Sequence, residues 1–317
     1  MTGCALGEKR LFRCSREAEV GASRRLLTAV RPKLGRAIIA VMRIRSPVIA
    51  LTLAAIAGVL AFGPGGCGGG RSDGVRSAAS STSWLGAPIP TSPGPLADRL
   101  VAADRGLRQA IDAWRGDGSP GSGSPPADVA RRARYLHRAT DLLSRRPALA
   151  SATAHRLPSR LAHETRELAA ALDDLRRLSA GWAPRHVRTG QPKPIAELLA
   201  YYRAADRRFG VDWSVLAAVN LVESAFGRVR TNSVAGAQGP MQFMPSTWRA
   251  YGMGGDIRDP HDAILAAANL LHQAGAPASY GRALYAYNPS RLYVDAVRRY
   301  ARLIATDPDA IYYLYSW

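Results

Sequence analysis

The sequence predicts a mainly α-helical protein with little strand. Apolar residues recur at helical spacing in two stretches in the middle of the chain. They are Leu136, Leu142 and Leu143 in the first stretch and Leu168, Leu172 and Leu175 in the second. Further along, Asp212 can cap a helix that runs to Gly227. The chain has 317 residues, of which 47% are hydrophobic, so it can bury a sizeable core.

An export signal is predicted in the first part of the chain. Val48–Phe62 is a 15-residue stretch without a charged side chain, which is shorter than the roughly 20 residues of a membrane-spanning helix. Met42–Arg45 supplies the short basic segment that precedes the apolar part of a secretory signal. Because Met42 lies where such a signal should begin, we expect residues 1–41 to be a mis-assigned upstream extension. Residues 42–67 are then the signal itself.

The cysteines bear on the kind of signal. Small residues before Cys67 resemble a lipoprotein signal, in which the cysteine is acylated, although Pro64 stands where such signals usually have Leu. Cys67 is therefore a candidate lipidation site and membrane anchor. The alternatives are a secreted protein's signal and an uncleaved anchor. Since Cys4 and Cys14 precede it and no cysteine follows it, we expect neither disulfides nor thiol chemistry in the remainder.

Two stretches of the chain are predicted to lack a fixed structure. Residues 68–95 are rich in Gly, Ser and Pro, which bury too little apolar surface to offset the entropy of ordering, so a flexible linker is predicted. The similar composition of residues 116–126 predicts a disordered loop for the same reason. Residues 96–180 otherwise form a helical segment of unknown role. We expect its histidines to be solvated, because they form no metal-ligand group with acids or cysteines. They are His137, His155 and His163.

The net charge of +19 is typical of a protein that binds nucleic acid, but the position of the basic residues in the chain argues against that function. Residues 1–45 hold eleven basic and three acidic side chains, so they account for +8 and leave +11 for the rest. If the first stretch is removed on export, a basic protein remains that is suited to the anionic polymers of a cell wall. A general preference for Arg explains the charge equally well. We expect no nucleic-acid partner.

One ionisable side chain, Glu223, lies in the helix that follows Asp212. It falls in the last turn, where the macrodipole opposes a negative charge, and its neighbours are mostly apolar. Both effects raise the pKa of the carboxyl group. A carboxyl group that stays protonated near neutral pH can donate its proton to a leaving glycosidic oxygen. From this helix alone, a surface glutamate near a helix end is the alternative.

Three motifs follow in order along the last part of the chain. Glu223-Ser224 ends the apolar helix, Ser233–Gln242 contains Gly-Ala-x-Gly-x-Met-Gln, and Ala286–Asn288 reads Ala-Tyr-Asn. Together they resemble the signature of lytic transglycosylases, over about residues 195–305. The resemblance implies a lysozyme-like catalytic domain, which we place at residues 195–317.

Further residues are similar to one branch of that family, the membrane-bound B-type enzymes. These residues are Pro240 before Met241, the stretch Asp259–Ile264 and the stretch Tyr287–Val294.

The resemblance implies that Glu223 is the catalytic acid/base. It also implies a set of substrate-binding residues, namely Ser224, Ser233, Met241, Gln242, Phe243, Tyr287 and Asn288. For Met241 and Phe243, core packing is the alternative. Gly236 and Gly239 lack a Cβ and can bring the backbone close to a sugar, or can simply form a tight turn. Neither a cofactor nor a metal is implied.

A second carboxylate is hard to find. Most glycosidases need two, yet no Asp or Glu occurs from Ser224 to Gly255, and we expect Asp259 and Asp262 to cap a helix. One carboxyl group suffices if the substrate supplies the nucleophile. The resemblance implies that Glu223 protonates the bond between N-acetylmuramic acid and N-acetylglucosamine (MurNAc-GlcNAc) and then deprotonates the muramyl C6 hydroxyl, which closes a 1,6-anhydro ring.

The predicted function is therefore a peptidoglycan lytic transglycosylase, exported to the cell envelope and acting as a monomer on glycan strands. A hydrolytic muramidase of the same fold is the enzymatic alternative, since it can position water without a classical second acid. A non-catalytic peptidoglycan-binding protein is the alternative from another class.

Overall fold

The computed structural model describes residues 83–116, 123–180 and 187–317, all within one compact unit. The predicted upstream extension, the export signal with Cys67, most of the linker and residues 117–122 of the predicted loop lie outside the described residues. So does the disordered N-terminal region that the sequence predicts.

The described residues form α-helices and no strand, which confirms the mainly α fold class. A 3₁₀-helix, Ser83–Gly86, comes first. The α-helices are α1 Pro93–Gly116, α2 Ala127–Ser144, α3 Pro147–Ala154, α4 Ser159–Leu178, α5 Ile195–Phe209, α6 Trp213–Ser224, α7 Pro245–Tyr251, α8 Pro260–Gln273, α9 Tyr280–Tyr287, α10 Arg291–Thr306 and α11 Ala310–Tyr315. Within the described ranges, no helix has both the length and the apolarity needed to cross a membrane.

Helix α6 lies at the centre of the core. Every residue from Ser214 to Ser224 is buried, because the helix is apolar on all sides and small at Ala217 and Ala218. Helices α5, α8 and α10 pack around it. A helix enclosed in this way holds its side chains in fixed positions, which a catalytic group requires.

The helical segment 96–180 shares this core. Leu107 and Ile111 of α1, and Leu168 and Leu175 of α4, belong to the same hydrophobic cluster as α6 and α10. A boundary was predicted between residues 180 and 195. Helices lie on either side of it, but they share one hydrophobic core. Helix α4 packs along α10, and Glu167 of α4 forms ion pairs with two arginines of α10. These pairs are Arg299–Glu167 at 2.9 Å and Arg302–Glu167 at 2.7 Å.

A buried charge cluster fastens α1 and α4 to the end of α10. Its centre is Arg108 of α1, which donates hydrogen bonds to four carboxylates at 2.9–3.2 Å. They are Asp104, Glu164, Asp307 and Asp309. These neighbouring acids outweigh the opposing effect of burial and raise the pKa of Arg108. We call these five residues the Arg108 cluster.

Two expectations for the N-terminal part are wrong. The predicted flexible linker 68–95 is ordered at its end, because Leu85 is buried and the ring of Trp84 contacts that of Tyr135 edge to face. The composition argument failed there because a few apolar residues were enough to dock the segment. His137 is buried, not solvated, and its ring packs against Trp317 with centroids 4.5 Å apart. Burial lowers the pKa of His137 to about 4.

Candidate active site

Glu223 lies in the last turn of α6, whose ends are both set by local sequence. At the start, the side chain of Asp212 accepts a hydrogen bond from the Ser214 amide at 2.8 Å, which is the predicted cap. The helix ends at Ser224 and not at Gly227, because the next three residues adopt left-handed backbone angles. Their φ values are 51° at Ala225, 62° at Phe226 and 83° at Gly227.

The carboxyl group of Glu223 is fully buried. Oε1 accepts a hydrogen bond from the Tyr293 hydroxyl at 2.9 Å, whereas Oε2 has no hydrogen-bond partner among the described residues. Burial raises the pKa of Glu223 to about 8, and the bond from Tyr293 opposes this shift. The direction agrees with the prediction made from the apolar neighbours of Glu223. The group is therefore protonated at neutral pH, with one oxygen free to act.

Sequence reasoning missed Tyr293. It was noted only as part of the stretch 287–294 and not as a site residue. A usable indication existed, because Tyr293, Val297 and Tyr300 lie on one apolar stripe of α10 and are all buried. A tyrosine on such a stripe needs a partner for its hydroxyl group, and a buried carboxyl group on the neighbouring helix is a natural one.

Ser224 bonds to the backbone around the end of α6. It is fully buried, and its hydroxyl donates to the Pro240 carbonyl at 2.5 Å and accepts from the Gly227 amide at 2.8 Å. Asn220 also donates to the Pro240 carbonyl, at 2.8 Å, and accepts from Tyr202 at 2.6 Å. These bonds give Ser224 a structural role, and its contact with the substrate stays a prediction. Ser224 fastens the end of α6 to the segment that carries the second motif.

The second motif is a compact double turn. Ser233 closes the first turn, because its hydroxyl oxygen accepts from the Ala237 amide at 2.9 Å and its own amide donates to the Ala237 carbonyl at 2.9 Å. Ser233 is buried and forms the turn, and its role in substrate binding stays a prediction. Gly239 is needed for close approach, because a Cβ there would collide with the Ile257 carbonyl, and its φ is 75°.

Met241 and Phe243 are core residues, which was the alternative for both. Tyr287 joins them to the third motif, since its hydroxyl donates to the Met241 carbonyl at 2.6 Å and its ring meets Phe243 edge to face at 5.9 Å. The same ring stacks on Tyr293, with centroids 6.4 Å apart and planes 5° apart. Tyr287 is therefore close to Glu223 through Tyr293.

Gln242 is a buried residue with hydrogen-bonding capacity to spare. Its Nε2 donates to the Gly239 carbonyl at 2.9 Å, but Oε1 has no partner among the described residues. Its backbone φ of 47° is unusual for a residue with a side chain and places strain in the motif. Asn288 is buried at the end of α9, where it forms the helix cap. The structure thus brings Tyr287 of the third motif against Met241 of the second, next to Gln242, and Asn288 follows Tyr287 in the chain.

The first acids that follow Glu223 in the sequence have structural partners. Asp259 caps α8 by accepting from the Asp262 amide at 3.1 Å, as predicted. Asp262 accepts from the Asp256 amide at 2.9 Å, and Asp256 accepts from the Arg258 amide at 2.8 Å. No acid contributes to the pKa of Glu223, which burial alone raises. Asp259, Asp262 and His261 could together hold a cation, but the two carboxylates already accept bonds from backbone amides, and the ring of His261 contacts Asp262 at 3.3 Å.

Comparison with known proteins gives one family match, which spans the region of this candidate site. Residues 200–305, about a third of the chain, match the family model of the transglycosylase SLT domain. The match runs from α5 into α10 and includes Glu223 and all three motifs. No curated protein and no solved structure matches the chain.

The chain therefore carries a lysozyme-like SLT domain preceded by a helical segment, within the mainly α fold class that was predicted. This supports a glycan-cleaving transglycosylase with peptidoglycan as its substrate and the cell envelope as its place of action.

Proposed function

We propose that the protein is a lytic transglycosylase that cleaves the β-1,4 bond between MurNAc and GlcNAc and leaves 1,6-anhydromuramyl ends. The observation that carries this is the carboxyl group of Glu223, which is fully buried and has no hydrogen-bond partner for Oε2 among the described residues; burial raises its pKa to about 8. A group of this kind is suited to donate a proton to the glycosidic oxygen.

The reaction needs only this one carboxyl group. Glu223 gives its proton to the glycosidic oxygen as the bond from that oxygen to muramyl C1 breaks. The resulting carboxylate, which the Tyr293 hydroxyl stabilises through Oε1, takes the proton of the C6 hydroxyl while O6 bonds to C1. Glu223 regains its proton, and no water is consumed. Because Glu223 is fully buried, the proposal includes an opening of the site when the glycan binds.

The test is digestion of purified peptidoglycan by the full chain, followed by mass analysis of the fragments. The digestion is run in water labelled with heavy oxygen. Fragments with anhydro ends and no labelled oxygen support the proposal, whereas fragments with labelled reducing ends would show that the enzyme is a muramidase. Glu223→Gln should lower the rate by a factor of about 10²–10⁴. The matched control is Asp98→Asn, which also converts a carboxyl group to an amide but at an exposed position on α1. Unchanged digestion by Glu223→Gln would overturn the assignment of the acid/base.

Location is a second part of the proposal. We infer that residues 42–67 direct export, that a lipid on Cys67 anchors the protein in the cell envelope as a monomer, and that the enzyme belongs to the B-type branch. Mass spectrometry of the exported protein should find no peptide from residues 1–41, and Cys67→Ser should release the protein from membranes. Release without that substitution would instead indicate a secreted protein.

A further inference from the structure

The turn that follows Glu223 has a strained backbone. Ala225 and Phe226 both adopt left-handed angles, with φ of 51° and 62°, although both carry a Cβ. Such angles are unfavourable for residues other than glycine, and they persist only where contacts with the rest of the protein fix them. The turn begins two residues after Glu223, at the end of α6. The contacts that fix it therefore also bear on the position of the candidate acid.

The side chain of Arg228 supplies contacts of this kind. Its Nη1 donates a hydrogen bond to the Ala225 carbonyl at 3.3 Å, and its own backbone amide donates to the same oxygen at 3.3 Å. Its Nη2 donates to the Tyr315 carbonyl of α11 at 2.6 Å. The guanidinium group also lies over the ring of Tyr315, with Cζ 4.8 Å from the ring centroid. One side chain thus joins the turn after α6 to the last helix.

The charge of Arg228 is held without an acid. The side chain is partly buried, burial lowers its pKa, and it forms no ion pair with any described residue. By contrast, Arg108 and Arg299 are also partly buried but are bound by carboxylates. A cation that is removed from water without an acid is unfavourable, so the carbonyl groups and the tyrosine ring have to compensate for it. The two carbonyls belong to the backbone, and Arg228 therefore fixes backbone positions.

The far end of this connection is itself held in place. The Tyr315 hydroxyl donates to the Lys193 carbonyl at 2.9 Å, and its ring packs against Phe226 with centroids 5.8 Å apart. Helix α11 also packs on α1 and α2 of the helical segment, where the ring of Trp114 meets that of Tyr312 edge to face at 5.5 Å. The turn after α6 is thus connected through α11 to the helical segment.

We propose that Arg228 is a positioning residue for Glu223. By joining the carbonyls of Ala225 and Tyr315, it keeps the last turn of α6 where the carboxyl group of Glu223 is enclosed. Arg228 does not touch that carboxyl group, since Tyr293 is its hydrogen-bond partner. The inference deepens the proposed function and rests on it for the role of Glu223 as an acid. It also gives the helical segment and α11 a part in keeping the acid in place.

The first measurement is kcat and KM of the full chain on soluble glycan strands, well below the unfolding temperature of each variant. Arg228→Met removes both side-chain bonds, so kcat should fall by a factor of about 10–10² with KM nearly unchanged, because small misplacements of a catalytic group are costly. Arg228→Lys should give an intermediate kcat, since an ammonium group lacks the planar fork that joins two carbonyls.

Arg230→Met is the matched control. Arg230 is an exposed arginine two residues further along, and it donates to the Gln191 carbonyl at 2.7 Å but bonds to neither Ala225 nor Tyr315. Its substitution removes an arginine–carbonyl bond from the same segment, and kcat should be unchanged.

The second measurement follows Glu223 without any cleavage. The glutamate carboxyl carbons are labelled with carbon-13, and the signal of Glu223 is the one that disappears in Glu223→Gln. In Arg228→Met we expect Glu223 to titrate at a lower pH than in the unaltered protein, because water reaches a carboxyl group that is less well enclosed. Tyr287 and Tyr293 are the titratable groups that interact with Glu223, and both are unchanged in these variants.

Equal losses of kcat in Arg228→Met and Arg230→Met would overturn the proposal, and so would an unchanged titration of Glu223 in folded Arg228→Met. If Arg228→Met does not fold, Arg228→Lys takes its place and has to show both the lower kcat and the lower titration pH. If the unaltered protein cleaves no glycan but the titration still shifts, the proposed function fails and the positioning role stands. If it cleaves glycan and Arg228→Met changes neither quantity, the positioning role fails and the proposed function stands.

Discussion

Tyr293 donates a hydrogen bond to Oε1 of Glu223 across 2.9 Å, and no other described residue bonds to that carboxyl group. The bond joins α6 to α10 and acts against burial. Burial favours the protonated acid, whereas the tyrosine hydroxyl favours the carboxylate. In the proposed reaction the carboxyl group of Glu223 first releases and then regains a proton, so neither its protonated nor its ionised form can be too unfavourable. The hydrogen bond from Tyr293 sets the free-energy difference between these two forms.

Replacing Tyr293 with Phe should raise the pKa of Glu223 further, because the bond that lowers it is lost. The alkaline limb of the kcat profile should then move to higher pH, since the acid stays protonated longer. The maximal rate should fall by about one order of magnitude as the carboxylate loses its partner. The measurement is kcat against pH on soluble glycan strands.

Tyr300→Phe serves as its control, because it removes another buried hydroxyl group two turns further along α10. A shift of the alkaline limb in both variants, or in neither, would show that Tyr293 does not tune the acid.

The raised pKa of Glu223 also predicts how stability depends on pH. The carboxyl group titrates at about 8 in the folded protein but near 4.3 in an unfolded chain, so between these values the folded state holds a proton that the unfolded state has released. Stability therefore falls as pH rises through this window, and Glu223→Gln removes that loss. We expect the variant to gain stability over the unaltered protein by a few kcal/mol as the pH goes from 5 to 9.

Chemical unfolding at several pH values measures this gain. Asp98→Asn, which converts an exposed carboxylate on α1 to an amide, is measured in parallel as the control. Parallel stability curves for Glu223→Gln and the unaltered protein would mean that the carboxyl group is not desolvated in the folded state.

Much of the fold and the position of the acid could be predicted from sequence. Local patterns determine them, since Asp212 caps α6, Asp259 caps α8, and the apolar neighbours of Glu223 already imply a raised pKa. Tyr293 could not be assigned in this way, because its contact with Glu223 depends on how α10 packs against α6.

The roles of other side chains depend on tertiary structure in the same way. Ser224 and Ser233 carry hydroxyl groups that suit a sugar equally well as a backbone turn, and the tertiary structure shows which backbone groups they bond to. His137 was assigned to solvent from its lack of metal-ligating neighbours, although a histidine can also be buried against an aromatic ring such as Trp317. The Arg108 cluster joins residues about 200 positions apart, a distance at which no sequence pattern acts.

The structural role of Ser224 predicts what Ser224→Ala does. Removing the hydroxyl leaves the Gly227 amide without its bond and takes one of two bonds from the Pro240 carbonyl. The buried amide is then unsatisfied, which should cost about 1–3 kcal/mol of unfolding free energy. Denaturant unfolding measures this. The affinity for glycan should be unchanged when Ser224→Ala is combined with Glu223→Gln. A stable protein with weakened binding would support Ser224 as a substrate contact.

The Arg108 cluster predicts a large effect far from the candidate site. Arg108→Ala takes from Asp307 the guanidinium group that binds both of its oxygens, whereas Asp104 and Glu164 keep their ion pairs with Arg160. Because only part of the cluster loses its counter-charge, the fold should be destabilised by about 3 kcal/mol, the lower end of the range for a broken buried ion pair.

Because the cluster fastens α1 and α4 to the end of α10, and α10 carries Tyr293, this loss should also reach the site. Below the unfolding temperature of Arg108→Ala, kcat should fall while the affinity for glycan is retained. Arg131→Ala removes an exposed ion pair with Asp128 on α2 and should change stability by less than about 1 kcal/mol. If Arg108→Ala and Arg131→Ala change stability and kcat by the same small amount, the helical segment does not support the position of Glu223. If Arg108→Ala alone lowers both stability and kcat, the helical segment supports the position of the catalytic acid.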